Sequence, residues 1–461
     1  MYRRAWLKSG LMAASFHIVP RHVLGGPGYV PPSEKIHVAL VGCGGRGRQV
    51  LKEAMEQSDV VALAVADPAT HFSTKNFYYR DEGGRDSTSQ LIEKHYESAY
   101  PGYQCSAYSD FRQMLAEVKD LDAVICGTPD HLHAYVSIES LRAGKHVYCE
   151  KPLTHDISEA RAVAQVAKQC GLATQMGNQG HSTDGMRRTV EWIRAGAIGT
   201  VREVAAWVGA KRWNPKLEGK PEMEDPVPEG LNWDLWQGPR EPRPFANNYF
   251  PVAWRDFWAF GNANIGDFAC HDLDAACWAL DLSDPTTIEF LPAGTSNSEI
   301  GPHGCIGYYH FPAKGNRPAV KVTWYDGGLK PQRPEQWPKD QAFPGRGVLF
   351  YGDQGLLYCG GAGGEPQLIG MGDVPKIEPS IPRVQSHMRD WLDSIRSGKP
   401  AGSHFEYGAR LTEIALLGAL SLRTGQAIHW DSANMKAIGN DAADAIIRQP
   451  RRDGWQLNVN S

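Results

Sequence analysis

The run Ile36-His-Val-Ala-Leu-Val-Gly42-Cys43-Gly44-Gly45-Arg46-Gly47 decides the architecture. Its first part is apolar enough for a buried strand, and residues 46–57 after it fit a helix. Between them stands G-x-G-x-x-G, in the strand-then-helix context that gives the pattern meaning. Gly42 permits a tight turn, Gly44 lets backbone approach a diphosphate, and Gly47 lets the helix pack on the strand. The helix start adds free N–H groups and partial positive charge. Gly42, Cys43, Gly44, Gly45, Arg46 and Gly47 are therefore expected to cradle a dinucleotide.

A second strand, 60–66, ends in Asp67, where a ribose-binding acid belongs. A carboxylate there accepts from both adenosine ribose hydroxyls and repels a 2′-phosphate. No arginine follows in Pro68-Ala69-Thr70, so the sequence favours NAD over NADP. Residues 70–103 form a polar, aromatic insertion with one helix near 87–98 and no assigned role. Alternation then resumes: helix to 118, strand 122–126, helix to 143, strand 146–149, helix 157–170, strand 172–176. That predicts a doubly wound parallel sheet.

The strand at 146–149 delivers Glu150-Lys151-Pro152 to the carboxyl end of the sheet, where such folds bind ligands. Proline restricts the residue before it, so Lys151 is held in an extended turn as a candidate proton carrier. Thr128-Pro129, His131 and His133, after the neighbouring strand, are expected over the nicotinamide half of the cofactor. Glu150, Lys151 and Asn178 complete the expected cofactor contacts. His131-x-His133 lacks a third ligand at suitable spacing, so no metal is expected.

The composition changes after Asn178. Of fourteen tryptophans, Trp6 lies in the leader and the rest follow Asn178. Aromatic faces with Trp254 and Arg255 would suit a sugar, while other tryptophans lock a long loop or an interface. Asp267 and His271 share one face of a helix expected from 266 to 280, where an acid can orient a histidine that titrates near neutral pH. Strands at 287–291, 304–310, 320–324, 347–351 and 356–358 suggest a mainly antiparallel sheet. Helices at 384–396 and 409–424, a strand-like 428–431 and a last helix at 442–448 follow.

The totals bound the rest. With 461 residues, 42% hydrophobic and 22% charged, the chain can build two domains. A formal charge of −4 and the lack of a basic stripe give no reason to expect nucleic acid. No apolar run reaches membrane-spanning length. Nine cysteines without paired spacing argue against a disulfide framework, and Cys126, Cys149, Cys170 and Cys277 are expected as buried free thiols. Arg3-Arg4-Ala5-Trp6-Leu7-Lys8 before a mildly apolar stretch looks like a twin-arginine leader, which implies a periplasmic protein; otherwise it is cytoplasmic. The organisation expected is leader and linker 1–33, dinucleotide domain 34–178, and substrate and association domain 179–461.

Taken together, Gly42-x-Gly44-x-x-Gly47, Asp67, Thr128-Pro129-x-x-x-His133, Glu150-Lys151-Pro152 and Asp267-x-x-x-His271 resemble the Gfo/Idh/MocA oxidoreductase family. The tryptophan-rich middle and the leader are similar to an exported, sugar-directed branch. The resemblance implies an N-terminal Rossmann domain and a C-terminal open-faced sheet domain, with homo-oligomers formed through that sheet. It implies that Lys151, His271 and Asp267 are catalytic: Lys151 on the substrate hydroxyl, His271 as base, Asp267 on a neighbouring hydroxyl. The substrate would be a secondary alcohol of a sugar or glycoside, in contact also with Trp254 and Arg255. Which of Lys151 and His271 finally holds the proton stays open. So does a redox-neutral glycoside hydrolase, although such relatives often lack the lysine of Glu-Lys-Pro. A non-catalytic NAD sensor would not need Lys151, Asp267 and His271 together.

Overall fold

The computed structural model describes residues 34–372 and 376–457. The leader, and the export expected from it, lies outside the described residues. Strands β1 (Ile36–Val41), β2 (Val60–Ala66), a small ribbon β3 (Phe72–Ser73) and β4 (Glu82–Gly83), β5 (Ser106–Tyr108), β6 (Ala123–Cys126), β7 (His146–Cys149) and β8 (Thr174–Met176) build the first half. Six of them form a sheet in the order β5-β2-β1-β6-β7-β8, with every pair parallel. The order reverses between β1 and β6, which opens a crevice above their carboxyl ends. Val38, Ala39 and Leu40 are fully buried on both faces of β1, as an unalternating apolar strand requires.

The insertion is more than one helix. It opens with the antiparallel β3–β4 ribbon, continues into the helix Arg85–Tyr96 and ends in β5. Both β5 and the ribbon are too short for their residues to show a period. The helix His387–Ser397 comes late in the chain, yet Met388, Trp391 and Leu392 pack into the core beneath β1 and β2. Arg389 and Arg396 both reach Asp59, at 2.9 and 3.0 Å. The outer face of the dinucleotide domain is thus closed by the C-terminal part of the chain.

The second half is a sheet built from β9 (Val201–Trp207), β10 (Thr287–Ala293), β11 (Gly304–Phe311), β12 (Val320–Tyr325), β13 (Gly347–Gly352), β14 (Leu356–Gly360), β15 (Pro366–Ile369), β16 (Ile428–Asp431) and β17 (Lys436–Ala437). Its order is β15-β14-β13-β9-β12-β11-β10-β16-β17. All pairs are antiparallel except β9 with β12. β9 sits inside the sheet, between β13 and β12, but was hidden in sequence by its alanines and exposed Arg202-Glu203. One face packs on the helix Phe405–Thr424, whose Gly418 lies against Tyr309 and Phe290. The expected single helix 266–280 is two, Ala263–Asp272 and Asp274–Ala279.

All nine cysteines are free. Cys126, Cys149 and Cys277 are buried as expected, whereas Cys170 is exposed at the end of its helix. Among the described residues no helix is long and apolar enough to cross a membrane.

Candidate active site

A cleft of about 450 Å³ lies above the β1/β6 reversal and is closed from the other side by the second domain. Three glycines interlock at its floor. A Cβ on Gly42 would stand 2.5 Å from the Thr128 nitrogen, one on Gly47 2.2 Å from the Gly42 oxygen, and one on Gly127 2.5 Å from the Gly47 Cα. Gly42 also needs its φ of +88°. Gly127 completes the set but is remote in sequence, so no local spacing marks it.

Gly44 differs: among the described residues nothing comes nearer than 4.0 Å to its would-be Cβ. It is the N-cap of the helix Gly45–Met55 and offers no capping side chain. The first N–H groups of that helix have no intrahelical partner, and Gly44, Gly45 and Arg46 line the cleft. Open space over uncapped N–H groups fits a diphosphate. Asp67, at the end of β2, accepts from Cys43 N at 2.7 Å and Ala69 N at 2.8 Å. Burial pushes its carboxyl up to about 6.

The opposite wall carries paired charges. Glu150 accepts from Arg46 Nε at 3.1 Å and from Gln179 Nε2 at 2.8 Å. His133 sets its two ring nitrogens against Pro152 O and Thr128 O, at 2.7 and 2.8 Å, and so ties the two cofactor-facing loops together. Lys151 donates to the Asp267 carboxylate and to its backbone carbonyl. Arg255 Nε stands 3.5 Å from the other carboxylate oxygen, with its guanidinium laid over Trp254 at 4.1 Å. Burial alone would lower the lysine, but Asp267 outweighs it and holds the ammonium above its ordinary value. Burial would likewise raise Asp267, yet Lys151 and Arg255 hold it well below the carboxylate range. His271, one helical turn along, is kept neutral by burial and by Lys151 and Arg346. Among the described residues its Nδ1 has no hydrogen-bond partner.

Thr128, Pro129, His133, Glu150, Lys151, Trp254, Arg255, Asp267 and His271 all line this one cleft. Four expected cofactor residues do not: Cys43, Gly47, His131 and Asn178. His131 is buried against Trp236 O at 2.8 Å and Phe260 O at 3.3 Å, pinning its helix to the second domain. Asn178 is buried between Asp274, to which it donates at 2.9 Å, and the Ser403 hydroxyl at 2.6 Å. Both are drawn inward by polar partners distant in sequence. Cys43 contributes its backbone N–H to Asp67, while its thiol is buried. Among the described residues one set, Cys126, His133 and Cys149, brings metal-type ligand atoms within 4.8 Å of one another; the His133 nitrogens already face carbonyls.

Besides Gly127, the polar cleft residues that went unrecognised in sequence include Tyr79, Asp130, Gln179 and Arg346. Asp130 directly follows Thr128-Pro129, which was a usable signal. The others come from an insertion, a 3₁₀ turn and a distant strand approach, and carry none. The tryptophans of the second half take different places. Trp213, Trp236 and Trp254 reach the cleft, while Trp233 and Trp236 stack at 4.8 Å within an aromatic core with Phe245, Tyr249 and Phe260.

Residues 36–178 match the profile described as oxidoreductase family, NAD-binding Rossmann fold, and residues 190–299 and 352–457 match the oxidoreductase family, C-terminal alpha/beta domain. The chain belongs to the Gfo/Idh/MocA oxidoreductase family. NAD is the cofactor that this Rossmann domain takes. The chain is 32% identical over 93 residues to a levoglucosan dehydrogenase of Pseudarthrobacter phenanthrenivorans, covering 20% of this chain and 24% of that protein. It is 27% identical over 219 residues to a glycosyl hydrolase family 109 protein of Shewanella pealeana, covering 46% and 44% respectively. The chain thus spans less than half the length of these curated relatives. The WlbA dehydrogenase of Bordetella pertussis, solved with NADH and UDP-GlcNAcA, superposes with a TM-score of 0.56 at 17% identity, over 86% of this chain and 99% of that one. That likeness establishes the shared fold.

Proposed function

We propose that this protein is an NAD-dependent oxidoreductase acting on a secondary alcohol of a sugar or glycoside. The observation that carries the reading is the joining, in one cleft with the glycine turn, of a charged lysine, the Asp267 carboxylate it shares with Arg255, and a neutral histidine. NAD, when bound, supplies the hydride acceptor. Alcohol oxidation also needs a proton acceptor and a donor that stabilises the developing oxyanion. Neutral His271, with an unpartnered Nδ1, suits the first role, and Lys151, held protonated, suits the second. Asp267 fixes Lys151 and Arg255, and the Trp254 and Trp213 faces suit the C–H surface of a sugar ring. Similarity to a levoglucosan dehydrogenase supports a carbohydrate substrate. The leader motif supports export, and the open face of the second sheet supports a homo-oligomer.

The likeness to a glycosyl hydrolase family protein keeps a second reading in play: transient oxidation, elimination and return of the hydride, with no net redox change. One experiment separates the two. Bound nucleotide is extracted from the purified protein, which is then given a panel of glycosides while reduced-cofactor absorbance and aglycone release are followed together. NADH without release is the expected result. Catalytic release without NADH accumulation would replace the dehydrogenase with the hydrolase, and no turnover with any sugar would overturn both.

A further inference from the structure

The ribbon insertion has no role in the site as described so far. Its base is firmly held. Buried Arg48, from the dinucleotide helix, reaches Asp81 at 3.4 Å and the Thr88 hydroxyl at 3.0 Å, and Lys52 reaches Asp81 at 3.3 Å. Thr74 closes the ribbon by donating to Asp81 O at 2.6 Å. Phe72 packs edge-on against Phe250 of the second domain, with centroids 4.8 Å apart. From this base residues 74–81 bring Tyr78 and Tyr79 to the cleft wall.

Tyr79 fills one particular space. A Cβ on Gly45 would lie 2.2 Å from its Cγ and 2.4 Å from its Cδ2. Gly45 is helical, outside the left-handed region, so no turn demands a glycine there. Glycine in a helix costs about 1 kcal/mol relative to alanine, and what it gains here is room for the ring. The neighbouring Gly44 is left open, as a ligand-facing position should be. Tyr79 therefore stands where the side chain of residue 45 would stand, beside the uncapped helix start. Burial raises its phenol, which stays a protonated donor. Tyr78, 78% exposed, sits edge-on to it at 5.4 Å and leaves the flap tip free at the mouth.

We propose that Tyr79 is a cofactor-retaining residue: carried by the 72–83 flap, its ring walls the dinucleotide groove at the Gly45 turn, and the flap has to lift before the dinucleotide can leave. This rests on the reading that the cleft binds NAD. An aromatic wall slows dissociation by adding contact that must be broken first. It also excludes water from the side of the cleft that faces Lys151 and Asp267.

The full-length protein and its Tyr79→Phe, Tyr79→Ala and Gly45→Ala variants are loaded with NADH. Release into excess NAD is followed by the loss of tryptophan-to-NADH energy transfer. Tyr79→Ala and Gly45→Ala are expected to release NADH about tenfold faster or more, whereas Tyr79→Phe, which keeps the ring, stays within about twofold. Unchanged thermal midpoints without nucleotide separate this from a folding defect. Should the variants fail to fold, trypsin cleavage of the wild type after the exposed Lys75 and Arg80 is the second readout, and NADH is expected to slow it. Equal release rates, or cleavage indifferent to NADH that is demonstrably bound, would overturn the proposal. A wild type that binds no NADH would instead overturn the reading beneath it.

Discussion

Lys151 and Asp267 come from different domains and meet twice: the ammonium donates to the carboxylate and also, at 2.5 Å, to the backbone carbonyl of the same residue. The second contact matters because a backbone carbonyl does not rotate away. It fixes the lysine relative to the helix Ala263–Asp272 and hence relative to His271. With Arg255 on the other carboxylate oxygen, the buried pair keeps one compensating cation if Lys151 is removed, which makes the lysine testable without collapse of the site.

Lys151→Met is expected to lower kcat by about 10²–10⁴-fold while NADH binding by fluorescence titration changes little. Loss of nucleotide binding alongside activity would place the lysine on the cofactor and not at the reacting alcohol.

The histidine makes a prediction about pH. Burial, Lys151 and Arg346 all hold His271 well below the ordinary histidine range, so it stays a neutral acceptor in weak acid. The kcat/KM profile is therefore expected to stay flat through pH 6.5, where an unperturbed histidine would already be half lost. A limb with its midpoint near 6.5 that vanishes in His271→Asn would show an ordinary histidine and remove the electrostatic argument.

Legibility in sequence followed the range of the interaction. The β1 strand, the glycine turn, Asp67 and Glu150-Lys151-Pro152 were readable because each is a local pattern whose meaning needs only its neighbours. Gly127 was missed because its reason is Gly47, on another loop. β9 was missed because burial by neighbouring strands, not alternation, defines it. His131 and Asn178 sit close in sequence to true cleft residues, but carbonyls and carboxylates from elsewhere turn them inward. Tyr79 required knowing that the insertion folds back on Gly45.

Asp130 should leave a mark on stability. It is buried, its one side-chain hydrogen bond among the described residues, from Asn262, is 3.5 Å long, and burial raises its carboxyl to about 7. An acid raised on folding contributes stability that is complete below the unfolded value near 4 and is lost as pH rises through about 7. The span between those values corresponds to at most roughly 4 kcal/mol. Asp130→Asn, which cannot ionise, is expected to gain thermal midpoint over the wild type at pH 8 and to gain little at pH 4. A difference constant with pH would mean that Arg255 and Lys151 already compensate the charge.

The second sheet carries an apolar row that is exposed at Leu291 and half-buried at Ile306 and Tyr325. Leu291 pairs across to Ile306 and Ile306 to Tyr325, and Leu291 is 51% exposed. An apolar row on an open sheet face is the kind of surface that association covers. Leu291→Asp is expected to shift the protein to a smaller species in light scattering at micromolar concentration, with the far-ultraviolet spectrum unchanged. Identical masses for the two proteins would move the interface elsewhere or make the protein a monomer.

Asp67 is the residue through which cofactor choice can be reversed. Its carboxylate is held by Cys43 N and Ala69 N at the edge of the cleft, in the position from which it would repel a 2′-phosphate. No arginine follows it in sequence, but the fold supplies one: Arg85, from the insertion helix, donates to the backbone oxygens of Asp67 and Pro68 at 3.0 and 3.2 Å. The guanidinium is thus held against the Asp67 loop, where the Asp67 carboxylate would oppose a phosphate. Asp67→Ala removes the repulsion and leaves the cation. The ratio of kcat/KM for NADP to that for NAD is expected to rise about a hundredfold, mostly through a lower KM for NADP, since each desolvated charge contact is worth about 1.5–3 kcal/mol. Asp67→Ala/Arg85→Ala should lose most of that gain. If the double variant keeps it, Arg85 serves only to brace the loop, and the preference rests on the carboxylate alone.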